Sequence, residues 1–209
     1  MIKTIVLATK NPGKLREIRE VLAPLGVAVA GLEEFPPIAE PEETGSTFAE
    51  NARQKAQYYA QQTHQWCLAD DSGLVVDALG GAPGVHSARY AAGDCPPGSP
   101  REVIDQANNR KLLDELRETH DPHRTARFVC HLALSDGQNI LIEASDAVEG
   151  RIGYQSRGSN GFGYDPLFYL PGRDCTTAQL PSTEKNLISH RGKALRKFAD
   201  KLAEMLARP

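Results

Sequence analysis

The stretch IVLATKNPGKLREI (5–18) changes character twice. Ile5, Val6, Leu7 and Ala8 are apolar without alternation, as in a strand buried on both faces. Asn11 and Pro12 then suit the N-cap and first position of a helix whose apolar stripe is Leu15, Ile18, Val21, Leu22 and Leu25, with Gly26 as the stop. The polar residues Thr9, Lys10, Asn11, Pro12, Gly13 and Lys14 therefore fall between the carboxyl end of a strand and the start of a helix. In an open α/β sheet that junction is where ligands bind.

The pattern outward from this stretch is strand, helix, strand, helix, strand. VAVAGL (27–32) reads as a second strand, and FPPIAEPEETGST (35–47) as a loop rich in proline and carboxylates. Thr47 and Glu50 form a capping box for a helix over 48–63, and CLADDSG (67–73) is a short buried strand ending in acids. An irregular stretch (78–100) follows, and Ser99, Pro100 and Glu102 mark the start of a helix running to about Glu118. TARFVCHLAL (125–134) and NILIEASDAVEG (139–150) flank the turn SDGQ as a long antiparallel hairpin. RGSNGFGYDPLF (157–168) is a glycine-rich loop, and residues 189–206 close the chain as an amphipathic helix. The expected fold class is α/β, a mixed central sheet flanked by helices, in a single domain spanning 1–209.

The 24 Lys and Arg nearly balance the 27 Asp and Glu, for a formal net charge of −3. Such a chain has no general affinity for nucleic acid or anionic membrane, so any anion must be held in a local pocket. No apolar run reaches the roughly 18 residues of a membrane span, and Lys3 passes directly into strand without a leader. The expected location is the cytoplasm. Cys67, Cys95, Cys130 and Cys175 are widely spaced with no C-x-x-C, which excludes a zinc ribbon or a disulfide scaffold.

Four segments carry residues suited to one chemistry. A helix N-terminus offers free N–H groups to phosphate, and Lys14 in the first turn points back toward that end, so Thr9, Asn11 and Lys14 can converge on an anion. In ADDSG (69–73) two adjacent carboxylates at a buried position call for a compensating cation, and a divalent metal is an economical one. Strand alternation sends Asp70 and Asp71 to opposite sides and so to different tasks. Glu40, Glu42 and Glu43 in the loop would add carboxylates if it folds over the strand, as Mg²⁺ with a polyphosphate requires. In SNGFGYDP (159–166) two glycines permit close backbone approach, while Phe162 and Tyr164 offer faces on which a base can stack. EKNLISHRGKA (184–194) adds Lys185, His190 and Arg191 near a helix start.

TKNPGK, EETGSTFAENA, ADDSGLVVDALGGAPGVHSARYA, GFGYDPLF and EKNLISHRGKAL together resemble, in order and over nearly the whole chain, the inosine triphosphate pyrophosphatases. Gln179 stands where that family often has Glu. The resemblance implies two lobes around a deep active-site cleft and a homodimer. It implies hydrolysis of deaminated purine nucleoside triphosphates (ITP, dITP, XTP) to the monophosphate and pyrophosphate, which cleanses the nucleotide pool. By the same resemblance Glu43 and Asp71 are Mg²⁺ ligands and Asp71 the general base. Thr9 through Lys14, Ser72, Phe162, Gly163, Tyr164, Asp165, Lys185, His190 and Arg191 are the substrate contacts. Discrimination for a 6-oxo purine needs donors at O6, which His190, Arg191 or backbone N–H groups can supply. The rival readings are a nucleotide-binding regulator without turnover and a pyrophosphatase of other modified nucleotides.

Overall fold

Side-chain alternation along the first strand divides the surrounding helices between two faces of a sheet. The computed structural model describes residues 4–9 and 12–207; Lys10 and Asn11, two of the expected phosphate contacts, lie outside them. The strands are β1 (Thr4–Leu7), β2 (Ala28–Gly31), β3 (Trp66–Val76), β4 (Thr125–Ser135), β5 (Ile140–Ile152) and β6 (Phe168–Tyr169). They form one sheet in the order β2-β1-β3-β4-β5-β6. β1 pairs in parallel with β2 and β3, and β5 pairs antiparallel with β6, so the sheet is mixed. The helices are α1 (Pro12–Leu22), α2 (Phe48–Thr63), α3 (Arg101–Glu118), α4 (Ser182–Ile188) and α5 (His190–Leu206).

The chain divides into two compact units. The first comprises Met1–Asp71, Cys130–Asp146 and His190–Pro209; the second comprises Ser72–Val129 and Ala147–Ser189. In the first unit Ile5 and Leu7 of β1, Leu68 of β3, and Cys130, Leu132 and Leu134 of β4 pack with Leu15, Ile18 and Leu22 of α1 and with Leu195, Phe198 and Leu202 of α5. Val6 and Cys67 turn the other way, against Tyr59 and Ala60 of α2. Ala69 and Ala133 meet Ala52 and Ala56 of the same helix. Thr47 and Glu50 cap α2 reciprocally, as its sequence requires. In the second unit Leu74 and Val76 of β3 are buried with Leu112 and Leu116 of α3 and with Leu167 and Phe168.

Four boundaries differ from the sequence expectation. The first α-helix stops at Leu22 and continues as a 3₁₀ turn over Ala23–Leu25, because Pro24 has no N–H to donate; Gly26 then closes the turn at φ 66°. β3 does not end at its acids but runs on to Val76, since Leu74 and Val76 supply a second buried pair beyond them. Ser99 does not cap α3: its hydroxyl donates to Pro96 O at 2.7 Å, and Pro100 takes the N-cap position with no side-chain bond. The expected last helix stands as α5 but starts one residue later, at His190, because the extended residue Ser189 (ψ 156°) separates it from α4, a short helix the sequence reading did not assign.

Candidate active site

The two acids of β3 inherit the two faces of the sheet. Asp70 follows Leu68 onto the side of α1 and α5, and Asp71 follows Cys67 and Ala69 onto the side of α2. Both are mid-strand and buried, at 5% and 8% exposure, so each needs its own compensating cation.

For Asp70 that cation is double. Lys14 Nζ stands 2.9 Å from both carboxylate oxygens, and Arg191 Nε lies 3.5 Å from Oδ2. Lys14 comes from the first turn of α1 and Arg191 from the first turn of α5, so two helix starts deliver cations to one strand position. Burial works against the charge on Asp70, but Lys14 and Arg191 outweigh it and hold the carboxyl well below its usual range. Burial also pulls Lys14 below the usual lysine range, with Asp70 opposing that shift and Arg191 adding to it. The result is a buried cluster in which Lys14 and Arg191 converge on Asp70, with Glu17 adding a further attraction on Arg191.

Asp71 is organised by α2. Lys55 Nζ is 2.7 Å from Asp71 Oδ1 and 3.0 Å from Glu43 Oε1, so one ammonium bridges the strand acid and the loop acid. Asn51, one turn earlier on the same helix face, donates to Asp71 Oδ2 at 3.4 Å and accepts the Gly45 N–H at 2.9 Å, tying the loop to the strand. Burial raises Asp71 above the ordinary carboxylate range; Lys55 pulls it down and Glu43 adds to the rise. Among the described residues no three His, Cys, Asp or Glu side chains converge as a metal cage. Mg²⁺ characteristically takes one or two carboxylates and completes its shell with phosphate oxygens and water. Glu43 and Asp71, already converging on one cation, have the chemistry for that pair.

The second unit holds the expected contacts Ser72, Phe162, Gly163, Tyr164, Asp165 and Lys185. Ser72 opens it, half-buried on β3. Asp165 is buried and makes its bonds within the protein: it accepts the Phe162 N–H at 2.8 Å and the Thr177 hydroxyl at 2.9 Å, and pairs with Lys185 of α4. Lys185 Nζ in turn sits 5.2 Å from the centroid of the Phe162 ring, which is 48% exposed. Gly161 has φ +78°, and a Cβ there would overlap the Asp165 carboxylate and approach the Lys185 ammonium. Gly163, also at positive φ, has both its N–H and its carbonyl bonded to α3. Tyr164 is buried, its hydroxyl donating to Ser87 O at 3.0 Å. Gln179 accepts the Thr176 N–H and so closes a 3₁₀ turn.

Sequence reasoning placed Lys14, Asp70, Asp71 and Glu43 among the working residues but missed Lys55 and Asn51. Their signal was available: two polar residues four apart, beside the buried row Ala52, Ala56 and Ala60 of the same helix. His190 begins α5 beside Arg191, and both lie in the first unit with Lys14, whereas Lys185 from the same motif lies in the second with Phe162. Thr9 lies two residues beyond the end of β1 and is half-buried; Pro12 and Gly13 form the first residues of α1.

The sequence pattern that defines the Ham1 family matches residues 5–201. A dITP/XTP pyrophosphatase of Desulforamulus reducens is 50% identical over 193 residues, covering 92% of each chain. One from Bacillus anthracis is 48% identical over 205 residues, covering 97% of this chain and 98% of the relative. Among solved structures, a HAM1 protein from Coxiella burnetii superposes with a TM-score of 0.87 at 42% identity, covering 97% of this chain and 99% of that one. The Ham1 protein of Staphylococcus aureus gives 0.84 at 40% identity, covering 97% and 100%. The segments that carry Lys14, Asp70, Asp71, Phe162 and Arg191 all fall inside the matched span, and this chain belongs to the Ham1 family.

Proposed function

We infer that this protein is a nucleoside triphosphate pyrophosphatase that hydrolyses deaminated purine nucleoside triphosphates to the monophosphate and pyrophosphate. The observation that carries the reading is the pair of buried acids on β3, each matched to its own lysine on opposite faces of the strand. A site that only held a triphosphate would gain nothing from Asp71 and Glu43, which repel phosphate unless a cation intervenes. Full-length relatives at about half identity bear the name dITP/XTP pyrophosphatase, in agreement with this chemistry.

In this reading Lys14 and Arg191 bind phosphate oxygens, and Asp70 holds both cations in place and limits their mutual repulsion. Arg191 beside Lys14 favours phosphate over the purine O6, which leaves O6 to His190 or to backbone N–H groups. Glu43 and Asp71 hold Mg²⁺, which supplies charge neutralisation to the phosphates when bound. Asp71, raised by burial, accepts the proton of the attacking water, and Lys55 keeps that carboxylate oriented. Phe162 stacks on the base, while Asp165 fixes Lys185 beside it. Thr9 through Gly13, Ser72, Gly163 and Tyr164 complete the substrate contacts through hydroxyl and backbone groups. A homodimer and a cytoplasmic location belong to the same reading. Among the described residues no helix is long and apolar enough to cross a membrane.

The test is pyrophosphate release over dITP, ITP, XTP, dATP, dGTP and dCTP, with Mg²⁺ and with excess chelator. Release from the first three alone, abolished by chelator and restored by Mg²⁺, is the expected result. Equal release from dATP, or phosphate in place of pyrophosphate, would overturn the assignment.

A further inference from the structure

The Phe162 ring is nearly half exposed, yet the backbone that carries it is bonded on both sides. On one side its own N–H goes to Asp165. On the other, the next peptide groups are held from α3: the Gly163 N–H donates to Asp105 Oδ2 at 2.9 Å, and Asn109 Nδ2 donates to the Gly163 carbonyl at 3.0 Å. Asp105 and Asn109 are four residues apart and so share a helix face. Asp105 is itself held by Arg101 Nε at 2.9 Å. Gly163 sits at φ +62° with open space where a Cβ would be, so its conformation owes nothing to side-chain packing of its own. A loop of glycines would ordinarily sample many states, and an exposed ring on it would lose that freedom on stacking.

We propose that Asp105 and Asn109 are positioning residues that pre-set the Phe162 ring for the nucleobase. The proposal rests on the functional reading above only for the identity of the ligand. With Gly163 gripped at both its donor and its acceptor, the ring is offered near its bound orientation, and the ordering is done in folding and not in binding. Neither residue is placed on the substrate. Their removal therefore acts on binding of the base and leaves the phosphate chemistry intact.

Two measurements separate this from a general structural role. In the first, Phe162→Trp is made in a Trp66→Phe background, which removes the only other tryptophan. Fluorescence anisotropy decay without nucleotide then reads the ring's mobility directly. Asn109→Ala should add a fast component of large amplitude, and Asp105→Asn, whose Oδ1 can still accept the Gly163 N–H, should not. An unchanged decay in Asn109→Ala would overturn the clamp whatever the enzyme's substrate. In the second, Asn109→Ala should raise KM for dITP between about two- and tenfold, the range for one newly mobile side chain, with kcat within about twofold. In a Phe162→Ala background the same substitution should change KM by less than about twofold, because the ring it positions is gone. Equal factors in both backgrounds would show that Asn109 acts elsewhere. A wild-type enzyme inert toward every purine triphosphate would sink the functional reading, and the anisotropy result would still decide the clamp.

Discussion

Asp70→Asn tests the electrostatics of the site without any substrate. The substitution keeps the shape of the side chain but removes the carboxylate that Lys14 and Arg191 both face. At an effective dielectric of about 20, Lys14 at 2.9 Å and Arg191 at 3.5 Å each attract the carboxylate by roughly 5 to 6 kcal/mol before desolvation is subtracted. Removing one partner of such a buried pair has a net cost of about 3 to 5 kcal/mol. For a chain of this size each kcal/mol moves Tm by about 2 to 4 °C, so the melting temperature should fall by roughly 6 to 20 °C.

The pH dependence has a definite sign. The folded state holds the Asp70 carboxyl well below its usual range, so its contribution is present above the unfolded value near 3.9 and lost as pH falls through the folded value. On the acid side the gap in Tm between wild type and Asp70→Asn should thus hold at about pH 5 and begin to close only below about 4. Because the variant has lost the carboxylate that both cations face, inorganic tripolyphosphate should raise its Tm by more than it raises that of wild type. Differential scanning calorimetry with and without the anion measures all three quantities. A drop smaller than about 2 °C, or a gap that widens as pH falls below about 4, would refute the account of Asp70 as the anion that holds two buried cations.

Lys55→Met removes the ammonium shared by Glu43 and Asp71. Calorimetric titration with Mg²⁺ or Mn²⁺ in the absence of nucleotide should show tighter binding than wild type, while kcat falls by more than about tenfold; weaker metal binding would separate Lys55 from the metal pair. Arg191→Ala should lower kcat/KM for inosine and adenosine triphosphates by similar factors if it serves the phosphates, and a selective loss on inosine would return it to the purine O6. Phe162→Ala should lower kcat/KM by about 1 to 3 kcal/mol with little dependence on the base, and a loss confined to one base would remove stacking as its role. Gly161→Ala meets both a positive φ and the Asp165 carboxylate, so thermal stability should drop by about 1 to 3 kcal/mol and KM for dITP should rise; an unperturbed variant would mean that the Asp165 and Lys185 pair can shift at no cost.

What could be read from the sequence followed from local rules. The buried strand at residue 5, the Thr47 and Glu50 capping box and the hairpin across Asp136 each depend on neighbours within a few residues, and each stands in the structure. The assignment of Asp70 and Asp71 to different partners is also local, because alternation alone forces it. The second half of β3 was hidden for a different reason: ADDSG carries the residue types of a turn, and only the burial of Leu74 and Val76 against α3 keeps the strand going. Asp105 and Asn109 were hidden because their partners are remote. Asp105 and Asn109 reach Gly163 across more than fifty residues of chain, and a helical Asp or Asn with a solvated side chain has the same sequence signature.

The motif EKNLISHRGKA shows how a continuous sequence signal can mislead about the site it builds. Read as text it is one basic cluster at one helix start. In the structure the single extended residue Ser189 ends α4 and lets α5 begin afresh at His190. Lys185 then answers to Asp165 and the Phe162 ring, while Arg191 answers to Asp70 and Lys14. One short segment thus supplies a cation to the Phe162 loop and another to the Asp70 cluster. Continuation of the first helix through Ser189 would cancel that division: six residues apart at about 100° per residue, Lys185 and Arg191 would be fixed in one rigid relation along a single helix. The ψ of one serine therefore determines which of two carboxylates each cation meets, and that choice is invisible to any count of charges in the motif.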